Sequence, residues 1–205
     1  IRPSRGLGDV YKRQYMNIHK TAVLDKSVYL GKNVEIGAFS QILGNVQIGD
    51  NVKIKSNCVI GAEADQPRVD RLGGQNGSVV IQDGCVIKDS VIISKPTLTE
   101  VTKIGSNSYL MSGAYIAHDS ILGKNVIISH GARLSGYTTV DDFSNIGANA
   151  TTHQKTTIGM CVMVGANSFV KGELNSGLIY VEKNKILGIN KIGIENAKLS
   201  DKEKQ

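Results

Sequence analysis

The sequence predicts an all-β fold, a parallel β-helix of hexapeptide repeats that makes up almost the whole chain. Three observations carry this. Every sixth residue from Ile18 is aliphatic: Ile18, Leu24, Leu30, Ile36, Ile42, Ile48, Ile54 and Ile60. The phase returns as Ile81, Ile87 and Ile93, and again from Ile104 through Leu110, Ile116, Leu122, Ile128, Leu134, Val140, Ile146, Thr152, Ile158 and Val164 to Val170. Second, a small or β-branched residue stands two places ahead, as at Val28, Val34, Cys58, Ala114, Val126 and Ala150. Third, glycine often follows directly, as at Gly31, Gly37, Gly49, Gly105, Gly123, Gly147 and Gly165.

A helix would repeat near 3.6 and a half-buried strand at 2. A period of six with glycine at fixed phase fits short strands, alternate residues inward, joined by sharp turns. Three strands make a triangular coil of about 18 residues, stacked at roughly 4.8 Å on the next. Each coil then buries its aliphatic face only against its neighbours.

Composition agrees. Aromatics are only 5% and Trp is absent, so the core is aliphatic; 23 glycines against 3 prolines indicate many tight turns. The net charge of +6 suggests a nucleic-acid binder less than it first implies. Residues 1–15 carry Arg2, Arg5, Lys12 and Arg13 against Asp9, half of that excess, ahead of a plausible start at Met16. They read as a non-native extension, leaving a β-helix domain over 16–189 and a short helical tail over 190–205. The rest is mildly basic and suits phosphate-bearing or acidic partners without requiring them; no nucleic-acid partner is expected. No apolar run approaches the roughly 20 residues of a membrane span, and no signal peptide is visible. Cys58, Cys85 and Cys161 have unrelated spacings, which suit neither a disulfide framework nor a metal site. The expectation is a cytoplasmic protein with no stable membrane insertion.

The period fails at 61–78 and 94–103, where loops should leave the coil, and at Thr152. A long excursion from a rigid scaffold is either a binding element or a tolerated insertion, and composition favours neither. The 18-residue coil brings His118, Gly136, Tyr137, His153 and Gln154 to one corner over about 10 Å of axis. There His118 is a candidate general base, neutral histidine being able to accept a proton near pH 7. Asp119 would orient it, and Gly136 would leave an N–H open to an oxyanion. A solvated corner histidine is an equal alternative. His130 falls on another face and reads as structural or intersubunit; His19 lies near the chain start.

The stretch 103–170 resembles the UDP-N-acetylglucosamine 3-O-acyltransferases of lipid A biosynthesis. The family's IAHD, VDDF and HQ segments appear as Ile116–Asp119, Val140–Phe143 and His153–Gln154, and a weaker likeness runs from Ile18 to the GIN at 188–190. The resemblance implies a left-handed helix, which the period cannot hand and which the usual right-handed crossover would contradict. It implies a homotrimer with sites between subunits, 3-hydroxyacyl transfer from acyl carrier protein to the sugar 3-hydroxyl of a nucleotide sugar, and no metal or other cofactor. His118 would be the base, Asp119 its support and Gly136 the oxyanion donor. His153 and Gln154 would contact the sugar nucleotide or the acyl–pantetheine arm, and Ala166 would sit at the acyl-chain ruler. Asp65 or Gln66 falls near an acidic sugar-binding position, with Arg68 and Asn190 as further substrate contacts.

The departures are specific. Tyr115 and Tyr137, still read as substrate contacts, stand where the family has histidines. Asn196 and Ala197 stand where it has an arginine pair, and its C-terminal helical domain is nearly absent. An acyl-CoA-dependent transferase acting on another nucleotide-linked amino sugar therefore remains the alternative. A metal-dependent trimer ranks low because Gly123 occupies the position expected for a partner ligand of His118, and a non-catalytic scaffold is the remaining class.

Overall fold

The computed structural model describes residues 17–66 and 77–202. From Asn17 to Leu174 the chain runs through short parallel strands, most of two residues, that fall in turn onto three sheets. The first face starts with Asn17–Ile18, Glu35–Ile36 and Lys53–Ile54, the second with Val23–Leu24 and Gln41–Ile42, and the third with Tyr29–Leu30 and Val46–Ile48. Partners stand 18 residues apart, as in Glu35↔Lys53, Tyr115↔Arg133 and Thr139↔Thr157. The predicted coil is the observed one.

Alternation explains the core. The ladder residues from Ile36 to Val170, Thr152 included, are all buried. Between them on the inner side lie Val34, Val52, Cys58, Cys85, Val126, Ala132 and Ala150, also buried. Ile18, Leu24 and Leu30 are only partly buried, belonging to the first described coil, which has a neighbour on one side only.

The corners stack as regularly as the strands. The third residue of most turns takes a left-handed conformation, and asparagine fills it repeatedly: Asn33, Asn51, Asn57, Asn107, Asn125, Asn149 and Asn167. Asparagine tolerates this region better than most side chains. The N–H of that residue donates to a corner carbonyl one coil below, as in Asn125 N to Ser106 O at 2.9 Å.

The two loops are not scattered. The first leaves Val59–Ala62 on the second face and returns as Ser78–Ile81 on the third. The second leaves Ile92–Ser94 and returns as Val101–Ile104, between the same two faces. Pairing across them jumps from Lys53 to Val86 and from Val86 to Tyr109, then resumes its step of 18. The scaffold is thus uninterrupted, and both excursions emerge at one corner.

Beyond the coils, Leu178–Val181 pairs in parallel with Met163–Val164 and antiparallel with Lys185–Ile189, and a helix spans Lys191–Lys202. Asn190 caps that helix, accepting from Gly193 N at 3.1 Å, and its amide donates to Cys161 O at 2.9 Å. The proposed extension, residues 1–15, lies outside the described residues.

Candidate functional site

The corner between the second and third faces gathers the residues that the 18-residue step predicts. Tyr137 N donates to His118 O at 3.1 Å and Lys155 N to Gly136 O at 3.0 Å. These bonds place His118–Asp119, Gly136–Tyr137 and Gln154–Lys155 directly above one another. At this corner Asp119, Tyr137 and Lys155, rather than asparagine, hold the left-handed position in three successive coils.

His118 and Asp119 are both buried. Nδ1 of His118 lies 2.7 Å from Oδ2 of Asp119, a carboxylate that accepts, so Nδ1 carries the proton and Nε2 keeps its lone pair. Among the described residues Nε2 has no hydrogen-bond partner. The ring meets Tyr137 edge-on, with centroids 5.1 Å apart.

Asp119 is the most heavily bonded side chain of the site. Its carboxylate accepts from Thr97 N at 3.0 Å, Thr97 Oγ1 at 2.7 Å, Leu98 N at 3.2 Å, Thr99 N at 2.7 Å and Thr99 Oγ1 at 2.6 Å. Burial alone would raise its pKa; the donors of Thr97 and Thr99 and the His118 ring outweigh it and hold the carboxyl well below the usual range. Asp119 therefore stays ionised beside a proton-bearing Nδ1, and the second loop is clamped across the corner.

Gly136 makes room for the base. A Cβ there would stand 2.5 Å from Cε1 and 2.7 Å from Nε2 of His118. Its N–H is unpaired among the described residues. At the corner between the third and first faces, the N–H at the same turn position takes a carboxylate oxygen from the coil above: Lys32 N from Asp50 at 2.7 Å, Asp50 N from Asp83 at 2.7 Å and Lys124 N from Asp142 at 2.8 Å. This turn offers an anion-accepting N–H by construction, and at Gly136 the chain itself does not fill it.

Thr152, the polar member of the ladder, lies in the coil above this turn. Its hydroxyl accepts from Ser135 N at 2.9 Å and pairs with Thr138 Oγ1 at 2.9 Å. Ser135 Oγ in turn donates to Thr152 O at 2.6 Å. The breach in the period is a local network that fixes the residue before Gly136.

The loops wall the site. Tyr115 OH, on the second face, donates to Asp65 at 3.2 Å and lies 3.4 Å from Ser94 Oγ. Burial, ahead of the nearby Asp65 charge, pushes the Tyr115 phenol up. Lys95 pairs with Glu63 at 2.5 Å, tying one loop to the other. Gln66 keeps a buried Oε1 without a hydrogen-bond partner among the described residues. Arg68 lies outside the described residues.

His153 and Gln154 stand at the same corner, exposed, with His153 edge-on to Phe169 at 6.3 Å. Two expected contacts lie elsewhere. Ala166 sits on the corner between the first and second faces, with His130, and Asn190 spends its amide on the helix cap and the Cys161 corner. Within one chain neither joins His118. Thr97, Thr99 and Lys155 were missed by the sequence reading. The two threonines lie in a loop without period, whereas Lys155 is visible as Tyr137 plus 18; its Nζ stands 6.0 Å from the Tyr137 ring centroid. Among the described residues no three His, Cys, Asp or Glu side chains converge as metal ligands, and the three cysteines are free and buried.

Comparison with known proteins bears on this geometry. The family model for the bacterial transferase hexapeptide (six repeats) matches residues 27–62 and 102–136. Both matched segments lie within the coils that carry the six-residue period. It is 37% identical over 114 residues to the acyl-[acyl-carrier-protein]–UDP-N-acetylglucosamine O-acyltransferase of Aliivibrio fischeri, a match covering 55% of this chain and 42% of that one. With the enzyme of the same name from Aliarcobacter butzleri, identity is 34% over 132 residues, covering 62% and 50%. The chain spans about half the length of the curated relatives it matches. Among solved structures, the UDP-N-acetylglucosamine acyltransferase from Campylobacter jejuni superposes with a TM-score of 0.74 at 26% identity, covering 87% of this chain and 77% of that one. The corresponding enzyme from Bacteroides fragilis gives 0.78 at 26%, with the same coverage. The chain thus resembles those acyltransferases in sequence and fold, and its solenoid is a left-handed parallel β-helix.

Proposed function

We propose that this chain is an acyltransferase that moves a 3-hydroxyacyl group from acyl carrier protein to the 3-hydroxyl of UDP-N-acetylglucosamine, the first step of lipid A biosynthesis. The observation that carries the reading is the His118–Asp119 pair, ring nitrogen to carboxylate at 2.7 Å, with Nε2 packed against Gly136 and the Gly136 N–H open. Relatives named as acyl-[acyl-carrier-protein]–UDP-N-acetylglucosamine O-acyltransferases, and a solved UDP-N-acetylglucosamine acyltransferase, resemble the chain in sequence and fold.

In this reading Nε2 takes the hydroxyl proton as the sugar oxygen attacks the thioester carbonyl. The oxygen of the tetrahedral intermediate turns toward the Gly136 N–H. Collapse of the intermediate expels the thiol, which takes the proton back from His118, so an ester and a free thiol replace an alcohol and a thioester. Asp119 keeps the ring in the correct tautomer and stabilises the imidazolium while it exists. The acyl group arrives already activated as a thioester, so no metal or prosthetic group enters this scheme. His153 and Gln154 bind substrate one and two steps along the corner, with Tyr115, Tyr137, Asp65 and Gln66 around the sugar.

Ala166 and Asn190 lie away from His118 in one chain, which supports a homotrimer whose neighbouring subunits complete each site. The acyl carrier protein as donor and a cytoplasmic setting belong to the same proposal; no described helix is long and apolar enough to cross a membrane. Tyr115 bonded to Asp65 reshapes the sugar wall and favours, as the second reading, an acyl-CoA-dependent transferase acting on another nucleotide-linked amino sugar.

The test is His118→Ala. Acyl transfer is expected to fall by at least three orders of magnitude while the melting profile is kept. Full activity in that variant overturns the assignment of the base.

A further inference from the structure

We propose that Thr97 is a positioning residue for the base: its single hydroxyl closes a hydrogen-bonded chain from Tyr137 to Asp119 and sets how strongly Asp119 holds His118. The inference rests on the reading of His118 as the base and extends it to the second loop.

The direction of each bond follows from counting protons. Thr97 Oγ1 has one proton, and its shortest contact, 2.7 Å, is to Asp119 Oδ2, which can only accept. Tyr137 OH, 3.2 Å from the same hydroxyl, must then donate into it. His118 Nδ1 stands 3.3 Å from Thr97 Oγ1 but 2.7 Å from Oδ2, so its proton goes to the carboxylate. Tyr137, Thr97, Asp119 and His118 form one directed network in which every proton is committed. Thr97 is buried, so water does not readily replace its hydroxyl.

This arrangement has a chemical consequence. Oδ2 shares its charge among three donors: Thr97 N, Thr97 Oγ1 and His118 Nδ1. A carboxylate with fewer donors would pull harder on the Nδ1 proton and favour the imidazolium, which cannot act as a base. The other charges around the ring are few. Lys155 stands above Tyr137, Lys95 is paired with Glu63, and Glu100 is exposed at the end of the loop.

Thr97→Val tests this in the full chain. The variant keeps the side-chain volume, the three backbone N–H bonds of Thr97, Leu98 and Thr99, and the Thr99 hydroxyl, so the loop stays clamped; an unchanged melting profile checks it. Two readouts follow. The ring signals of His118, assigned by their loss in His118→Gln, are titrated by NMR. The His118 midpoint is expected to rise by roughly half a pH unit or more relative to the unsubstituted chain. In the acyl-transfer assay kcat is expected to fall about tenfold with KM within twofold, and the acid limb of the kcat/KM profile to move upward by the same interval. Thr97→Ser restores both. An NMR titration of Thr97→Val that overlays that of the unsubstituted chain, or a Thr97→Ser variant as displaced as Thr97→Val, overturns the proposal. The titration needs no substrate, so absence of acyl transfer would count against the proposed function and leave this inference to the NMR result.

Discussion

Gly136→Ala isolates the geometry of the base from its chemistry. Gly136 is not in the left-handed region, so an alanine backbone is allowed there. The added Cβ would lie 2.5 Å from His118 Cε1, whereas carbon atoms rest at about 3.5–4.0 Å. The ring must therefore retreat by about 1 Å. It cannot do so freely, because Nδ1 is bonded to Asp119 at 2.7 Å and Tyr137 stands edge-on with centroids 5.1 Å apart. Overpacking of this kind costs about 1–3 kcal/mol, partly offset by the lower entropy of the unfolded chain. A reacting group misplaced by 1 Å loses about 100-fold in rate. Steady-state acyl transfer read beside a thermal melt is the assay: kcat should drop about 100-fold with melting lowered by no more than a few degrees. A Gly136→Ala variant that folds and retains kcat within threefold would refute the claim that the glycine exists to seat His118.

Three further outcomes follow from the same corner. Asp119→Asn puts an amide among donors that need an acceptor, and should cost about 10–100-fold in kcat as well as stability. The stability gap between the native chain and that variant has a defined pH dependence. The Asp119 carboxyl is held below its ordinary value near 3.9, so its contribution is complete above that pH and lost as the pH falls toward its folded value. Denaturation from pH 7 to pH 3 should show a constant gap that narrows only below about pH 4. Thr152→Val makes the aliphatic ladder unbroken yet should destabilise the chain by about 1 kcal/mol, because Ser135 N–H loses its acceptor; a melt decides.

The ladder and the corner were legible because both are matters of counting. A period of 18 fixes what lies above what, so His118, Gly136, Tyr137, His153 and Gln154 could be placed together without coordinates. The same counting puts both loops at that corner, since Ile60 and Ile93 share a face with Ile116. It also places Ala166 beside His130 on another corner, so the resemblance, and not the spacing, is what connected it to the site. Thr97 and Thr99 were invisible because loop residues carry no period, and their partner emerged only with the path of residues 94–100. Thr152 is the polar break in the aliphatic ladder; the structure makes it a support for the turn that carries Gly136. Its signal was real, but a break in a hydrophobic pattern reports a satisfied polar group as readily as a reacting one.

The most direct measurement is a donor–acceptor matrix on the full chain: acyl carrier protein loaded with 3-hydroxyacyl groups of several lengths, and acetyl-CoA, each against UDP-N-acetylglucosamine and nucleotide-linked amino sugars. Turnover of 3-hydroxyacyl carrier protein with UDP-N-acetylglucosamine, giving the 3-O-acyl ester and abolished by His118→Ala, is the predicted result. Turnover with acetyl-CoA alone, or with amino sugars alone, would contradict it.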